Sequence, residues 1–209
     1  VVIKAIDQTK TYGEIFVFDE TDPSTDYTVT GVVTSVNGLA TGDTVTGTDL
    51  NSAGAVSTAS VAGGPYTITA SNAVGAGLTS GNYIITYDTG LLTVDPAKLQ
   101  ITAKDETKIY DATAYSGGNG VTYSGFATGE DATDLAGALT YSGTSQGAVN
   151  VNPLATPYVI TASGQTSSNY DISYVDGALR ITPKALTITA VDETKIYDAT
   201  AYSGGNGVT

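Results

Sequence analysis

Residues 103–122 read AKDETKIYDATAYSGGNGVT, and residues 190–209 repeat that string with one change, Lys104 against Val191. The same offset of 87 residues relates Val94-Asp95-Pro96 to Ile181-Thr182-Pro183 and Asn82-Tyr83 to Asn169-Tyr170. A looser copy opens the chain, where Ala5, Asp7, Thr9, Lys10 and Tyr12 stand for Ala103, Asp105, Thr107, Lys108 and Tyr110. The chain therefore divides into a first unit over 1–96, a second over 97–183 and the opening of a third over 184–209. A period this long belongs to an array of small domains rather than to a short-period solenoid. Each unit lies near the small end of the domain range, so it must bury most of its larger apolar side chains to be stable.

The chain has no Cys, His, Met or Trp. The softer transition-metal ligand sets, a Cys nucleophile, a His base and a disulfide framework are thereby excluded. The missing Met reads as a mature piece or fragment. The net charge of −13 is spread along the units and opposes binding to nucleic-acid phosphates and anionic membranes. No signal peptide, membrane-spanning apolar run or Asn-x-Ser/Thr sequon is visible. These features predict no nucleic-acid partner and no membrane insertion of this segment.

Outward from the repeated string, the pattern reads as strands. Residues 1–5 and 27–33 alternate apolar with polar positions, and residues 7–10 read as a polar exit or edge. Tyr12 and Tyr110 are expected to anchor their rings in the core. Unit one carries eleven additional residues between Tyr12 and Gly38, including the acidic turn at 19–24, which reads as a hairpin extension or long loop. Leu39 and Phe126 are expected to plug the core. Asp131 is placed to cap a short helical turn over 132–135, which Leu135 would hold to the core. Residues 66–70, 139–142 and 158–162 read as strands. Residues 170–183 look like a hairpin, with Tyr170, Ile172 and Tyr174 on one face and Asp176-Gly177 as its turn. Residues 83–94 repeat this with a bulged turn at 88–90. At Pro96 and Pro183, about two residues separate the last strand of one unit from the first strand of the next, without a flexible linker. Successive units should follow head to tail with limited swing.

The sites that invite chemistry each have a simpler reading. Lys108 with Asp111, and Lys195 with Asp198, would form an ion pair or an amide cross-link, but an edge lysine beside a core tyrosine accounts for the pattern. Asp105-Glu106, Glu130-Asp131 with Asp134, and Asp19-Glu20 with Asp22 are candidate calcium ligands. None matches a calcium-loop spacing, and solvated acids explain them. Residues 116–120, Ser-Gly-Gly-Asn-Gly, resemble a phosphate loop without its Lys-Ser/Thr, and Asn119-Gly120 reads better as a hairpin turn. No catalytic, cofactor-binding or metal-ligating residue is assigned, no cofactor is called for, and an enzyme is not expected.

The recurring residues resemble the glycine-rich, mostly-β repeats of large bacterial surface proteins called MBG and YDG repeats. The resemblance rests on Leu-Thr-Ile-Thr-Ala at 186–190, Thr-Lys-x-Tyr at 9–12 and 107–110, the middle motif at 38–43 and 125–130, and the closing motif at 82–96 and 169–183. Unit one looks like the Tyr-Gly type. Units two and three look like the Tyr-Asp-Gly type, with Ala112 and Ala199 in place of that Gly. The resemblance implies an extracellular stalk or spacer segment of a filamentous-haemagglutinin-like adhesin. The fold expected is all-β: tandem antiparallel sandwiches of an immunoglobulin-like kind, or alternatively a β-grasp arrangement with one short helical turn. The expected partners are the neighbouring repeats. The other reading is that the repeats themselves bind a glycan or host protein, or self-associate through the open third copy.

Overall fold

The computed structural model describes residues 1–31, 39–40, 42–78, 81–205 and 207–208. The end of the strand expected over 27–33, together with Gly38 and Thr41 of the middle motif, lies outside the described residues. The architecture is all-β, and the two complete units share one topology. In the first, strands β1 (Val2–Ala5), β2 (Gln8–Thr11), β3 (Tyr27–Thr30), β4 (Gly47–Asn51), β5 (Tyr66–Val74), β6 (Thr86–Asp88) and β7 (Gly90–Asp95) form two sheets, ordered β3-β1-β6 and β2-β7-β5-β4. In the second, strands β8 (Ala97–Ala103), β9 (Glu106–Ile109), β10 (Val121–Ser124), β11 (Thr140–Ser142), β12 (Tyr158–Ser163), β13 (Tyr170–Val175) and β14 (Gly177–Thr182) form sheets ordered β10-β8-β13 and β11-β12-β14-β9. Among the described residues, no strand pairing joins one set to the other.

Alternation dictates which face is buried. In β8, Ala97, Leu99, Ile101 and Ala103 point inward while Lys98 and Gln100 face solvent. In the first unit Ile3, Ala5 and Tyr27 of one sheet pack with Ile68, Ala70 and Leu92 of the other, and Leu39 plugs this core as its sequence position predicts. In the second unit Ile160, Ala162, Leu179 and Ile181 pack with Ala103 and Tyr115. The predicted turn is a single 3-10 turn over Ala132–Asp134. Asp131 accepts from the Thr133 amide at 2.8 Å, and Asp134 accepts from the Asp131 amide at 2.8 Å. Leu135 packs half-buried behind it.

The sheets are mixed, and the hairpins expected over 170–183 and 83–94 do not form. β13 pairs in parallel with β8, whereas β14 pairs antiparallel with β12 and in parallel with β9. At Asp176-Gly177 the chain passes from one sheet of the sandwich to the other, and β8 makes the same passage into β9 alongside it. Such corners let one strand serve two sheets. Gly177 is required here: a Cβ would lie 2.7 Å from the Ala103 carbonyl oxygen and 2.9 Å from that of Lys104. Asp105 closes the corner by accepting the Ala178 amide at 2.8 Å. Unit one builds the same corner, with Asp7 accepting the Leu91 amide at 2.9 Å and Gly90 packed against the Ala5 carbonyl. The recurring Asp and Gly therefore define a crossover. The Asn119-Gly120 turn likewise leads to β10 in the other sheet from β9, so it is no hairpin.

Candidate functional site: the joint between repeats

A third hydrophobic cluster lies between the two units. Tyr12, Ala59 and Val94 of the first are buried against Ala97, Leu99, Ile101 and Tyr170 of the second, with Val61, Tyr66, Phe126 and Leu135 half-buried around them. Each fully buried Leu or Ile side chain here contributes roughly 1.5–3 kcal/mol. Two repeats sharing one core are energetically coupled, as neighbours in a repeat array are.

Tyr12 was expected to anchor its own unit. Instead its ring, 7% exposed, crosses to the second unit. It meets Tyr170 edge-on, with ring centroids 5.5 Å apart, and Phe126 meets the same ring edge-on at 5.5 Å. The chain reaches this position because β2 ends at Thr11 beside β7, and the Tyr12 amide donates to the Asp95 carbonyl at 2.8 Å. Gly13 then turns away with φ +86°, and a Cβ there would lie 2.8 Å from that of Ala127. Glycine lets the two backbones approach.

Glu130 is the polar centre of the joint. Its Oε1 accepts the Tyr12 hydroxyl and its Oε2 accepts the Tyr170 hydroxyl. The Tyr170 hydroxyl oxygen in turn accepts the Ala127 amide at 2.8 Å, which fixes the loop that carries Glu130. Burial first, then the bond to Glu130, pushes the Tyr12 phenol up to about 12, and the same two causes push Tyr170 up to about 12. Unit one uses the internal half of this device. Tyr83 donates to Asp43 at 2.6 Å and accepts from the Ala40 amide at 2.8 Å. A further bond crosses the joint from the Val61 amide to Asn169 Oδ1, at 3.1 Å.

The connection itself is one residue long. β7 ends at Asp95 and β8 begins at Ala97, leaving Pro96 between them. The Asp95 carbonyl is held by Tyr12, and the Ala97 amide donates to the Asn169 carbonyl at 3.0 Å. Proline contributes a fixed φ between these two anchored neighbours.

The other residues singled out in the sequence serve the fold. Lys108 donates to Asp111 and to the Thr113 carbonyl at 3.1 Å, and Asp111 also accepts the Thr113 amide at 2.9 Å. The lysine holds the Asp111 carboxyl well below the usual carboxylate range. Tyr110, expected in the core, is 36% exposed. The buried tyrosine of that stretch is Tyr115, which donates to Glu106 at 2.6 Å. Lys10 sits on an edge strand as expected but is buried, donating to the Glu14 carbonyl at 2.8 Å and to that of Val56. Burial lowers its ammonium pKa against the opposing pull of Glu14.

Apart from Asp22, whose amide donates to the Thr46 carbonyl at 3.1 Å, the acids proposed as cation ligands are acceptors for protein donors. Glu20 takes the Leu50 amide at 2.8 Å, Asp19 takes the Thr21 hydroxyl at 3.0 Å, and Asp105, Glu106, Glu130, Asp131 and Asp134 are engaged as described. Among the described residues no three acids gather to hold a metal ion. The phosphate-loop look-alike is closed by Gln146, which accepts the Gly117 amide and donates to the Gly117 carbonyl, both at 2.8 Å.

The third copy repeats the local wiring without a core. Lys195 donates to Asp198 at 2.6 Å, Tyr202 donates to Glu193, and Ala190 bridges Val208 antiparallel as Ala103 pairs with Val121.

Comparison with protein families now assigns the chain. Residues 1–93 and 99–180 each match the MBG domain of YGX type. The chain belongs to the MBG domain family. Both matches stop short of the joint strands' full length, at Thr93 before Pro96 and from Leu99 after it. One family description covers both MBG repeats, although the second reads Tyr-Asp-Ala at 110–112 where the first reads Tyr-Gly-Glu at 12–14. MBG domains are repeats of adhesin-type proteins. No curated protein and no solved structure matches the chain. No helix among the described residues is long and apolar enough to cross a membrane.

The joint was only half legible in the sequence. The short passage at Pro96 marked its position. The pairing of Tyr12 with Glu130 did not, because 118 residues separate them. The only signal was that both belong to recurring motifs.

Proposed function

We propose that this chain is a spacer segment of a bacterial surface adhesin, with each MBG repeat holding the next at a set angle so that a distal binding region is displayed away from the cell. The observation that carries this reading is the joint. Its core is built from both repeats, its connector is Pro96 alone, and Glu130 takes one phenol from each side. A flexible string of independent domains would need none of these, because Gly/Ser linkers suffice for that. Membership in the MBG family supports placement in an extracellular adhesin. It also supports a non-enzymatic role, as does the use of the candidate acids as structural acceptors.

Small-angle scattering on chains of one, two and four repeats tests the proposal. The maximum dimension should rise by a constant increment per repeat, with a scattering curve that one fixed inter-repeat angle reproduces. A curve that requires a wide ensemble of angles, or a dimension that stays flat as repeats are added, would defeat it.

A further inference from the structure

Tension along the chain enters the second repeat at Ala97, through Pro96, and leaves it at Thr182, through Pro183. Both residues sit on parallel ladders. β8, which takes the load, lies parallel to β13 over six residue pairs, from Ala97–Tyr170 to Thr102–Val175. β9, its continuation, lies parallel to β14 over four, from Glu106–Leu179 to Ile109–Thr182. A pull on Ala97 and Thr182 therefore draws β8 and β9 backward past β13 and β14. The load has two routes through the repeat. It crosses from β8 to β13 and follows the chain into β14, or it follows the chain into β9 and crosses to β14. The repeat lengthens only when both ladders slip, and the evenly spaced bonds of a parallel ladder share the force. The ends of the arrangement are fastened. The Ala97 amide donates to the Asn169 carbonyl at 3.0 Å, and the Tyr110 amide donates to the Thr182 carbonyl at 2.8 Å. So is its middle, where Gly177 is packed on the Ala103 and Lys104 carbonyls and Asp105 accepts the Ala178 amide. The first repeat is wired alike, with β1 parallel to β6 over three pairs, β2 parallel to β7 over four, and Asp7 on the Leu91 amide.

We propose that each complete MBG repeat of this chain is a load-bearing clamp, in which tension is met in shear by two parallel strand ladders linked at an Asp–Gly corner. This goes beyond the spacer reading, because the ladders resist a pull whatever angle the repeats adopt. The direction of loading is what matters. In peeling, rungs open one at a time and each bears the whole force. In shear, a ladder yields only when its rungs fail together, and forced unfolding follows that barrier rather than equilibrium stability. The corner adds a latch. For β13 and β14 to slide past β8 and β9, Gly177 must leave its seat between two carbonyls and the Asp105–Ala178 bond must break.

The chain has no cysteine, so two introduced cysteines give the only attachment points for single-molecule pulling. The full chain carrying Lys98→Cys and Lys184→Cys is held at the start of β8 and just beyond β14, which loads both ladders in shear. The full chain carrying Lys98→Cys and Asp171→Cys is held across one rung, where Lys98 stands opposite Asp171, and β8 is peeled from β13. All three positions are exposed, and both variants lose the Lys98–Asp171 ion pair, so their urea midpoints should agree. At one loading rate the shear pair should unfold at a force at least about twofold higher than the peeling pair. Equal forces, or a lower force in shear, would overturn the clamp. Asp105→Ala, added to each variant, tests the latch. The shear force should fall while the peeling force holds, because peeling starts at the end of β8 far from the corner. An equal fall in both would reduce the corner to ordinary stability and sink the linked ladders. Scattering keeps the two ideas apart: a high shear force in a chain whose repeats swing freely would leave the clamp standing and remove the set-angle spacer.

Discussion

The sharpest consequence of the joint is an energetic coupling between residues of different repeats, measurable with a double-mutant cycle on Tyr12→Phe and Glu130→Gln. Tyr12→Phe keeps the ring on Tyr170 and removes one hydroxyl donor to a carboxylate, an interaction of roughly 1.5–3 kcal/mol. Glu130 retains its bond to Tyr170, so no buried charge is left without a partner and the cost should fall near the lower figure. Glu130→Gln removes the charge from both bonds and costs more. Once Tyr12 is Phe, only the Tyr170 bond remains to be lost, so the two changes together should cost about 1 kcal/mol less than their sum. Urea denaturation of the full chain and its three variants provides the four free energies. The pair Tyr110→Phe and Glu130→Gln is the control. Tyr110 lies at the other end of the second repeat, so those changes should add within about 0.5 kcal/mol. A Tyr12–Glu130 coupling no larger than that of the control would refute the bonded joint. Tyr12→Ala, which also removes the ring, should cost about 3–5 kcal/mol and separate the unfolding of the two repeats into distinct transitions.

Further expectations concern titration and the crossover. Tyr12 and Tyr170 have phenols raised to about 12, so the stabilisation they supply is fully present below the ordinary tyrosine value of about 10 and is lost as pH rises from there towards 12. Alkaline unfolding curves should show a steeper loss in wild type than in Tyr12→Phe, and equal slopes would contradict the assignment. Gly177→Ala places a Cβ 2.7 Å from the Ala103 carbonyl oxygen and should cost about 1–3 kcal/mol by urea midpoint, whereas an unchanged midpoint would mean the corner is looser than described. Asp105→Ala strips the Ala178 amide of its acceptor and should cost about 1 kcal/mol, with Asp7→Ala matching it through Leu91, and two unequal costs would break the equivalence of the two corners. In the third copy the Lys195 contact, followed by those from Thr200, holds the Asp198 carboxyl at about 2. A nuclear magnetic resonance titration that finds it in the ordinary carboxylate range would show that this turn does not form without a core.

Alternation made much of the fold readable. Leu99, Ile101 and Ala103 fall on one face of a pleated strand whatever the strand pairs with, so the buried face followed from period two alone. The cap at Asp131 was readable for the same kind of reason, since its partners Thr133 and Asp134 lie within one turn. The parallel pairing of β13 with β8 was not. Asp176-Gly177 satisfies the local preference of a hairpin turn and also that of a corner between sheets. Only the approach of Gly177 to the Ala103 carbonyl distinguishes the two, and that contact spans 74 residues.

By itself the sequence carries an 87-residue repeat, an all-β alternation and the motifs whose resemblance to MBG repeats the family match bears out over 1–93 and 99–180. It does so because strand periodicity and recurring motifs are properties of neighbouring residues. Where Tyr12 sends its ring was decided by tertiary structure. Tyr12 and Tyr110 both follow a Thr-Lys-x stretch, and nothing in that stretch says that the Tyr12 side chain is buried against the second repeat. What Tyr12 meets is a loop carrying Glu130, far along the chain, and long-range packing of that kind leaves no local pattern to read.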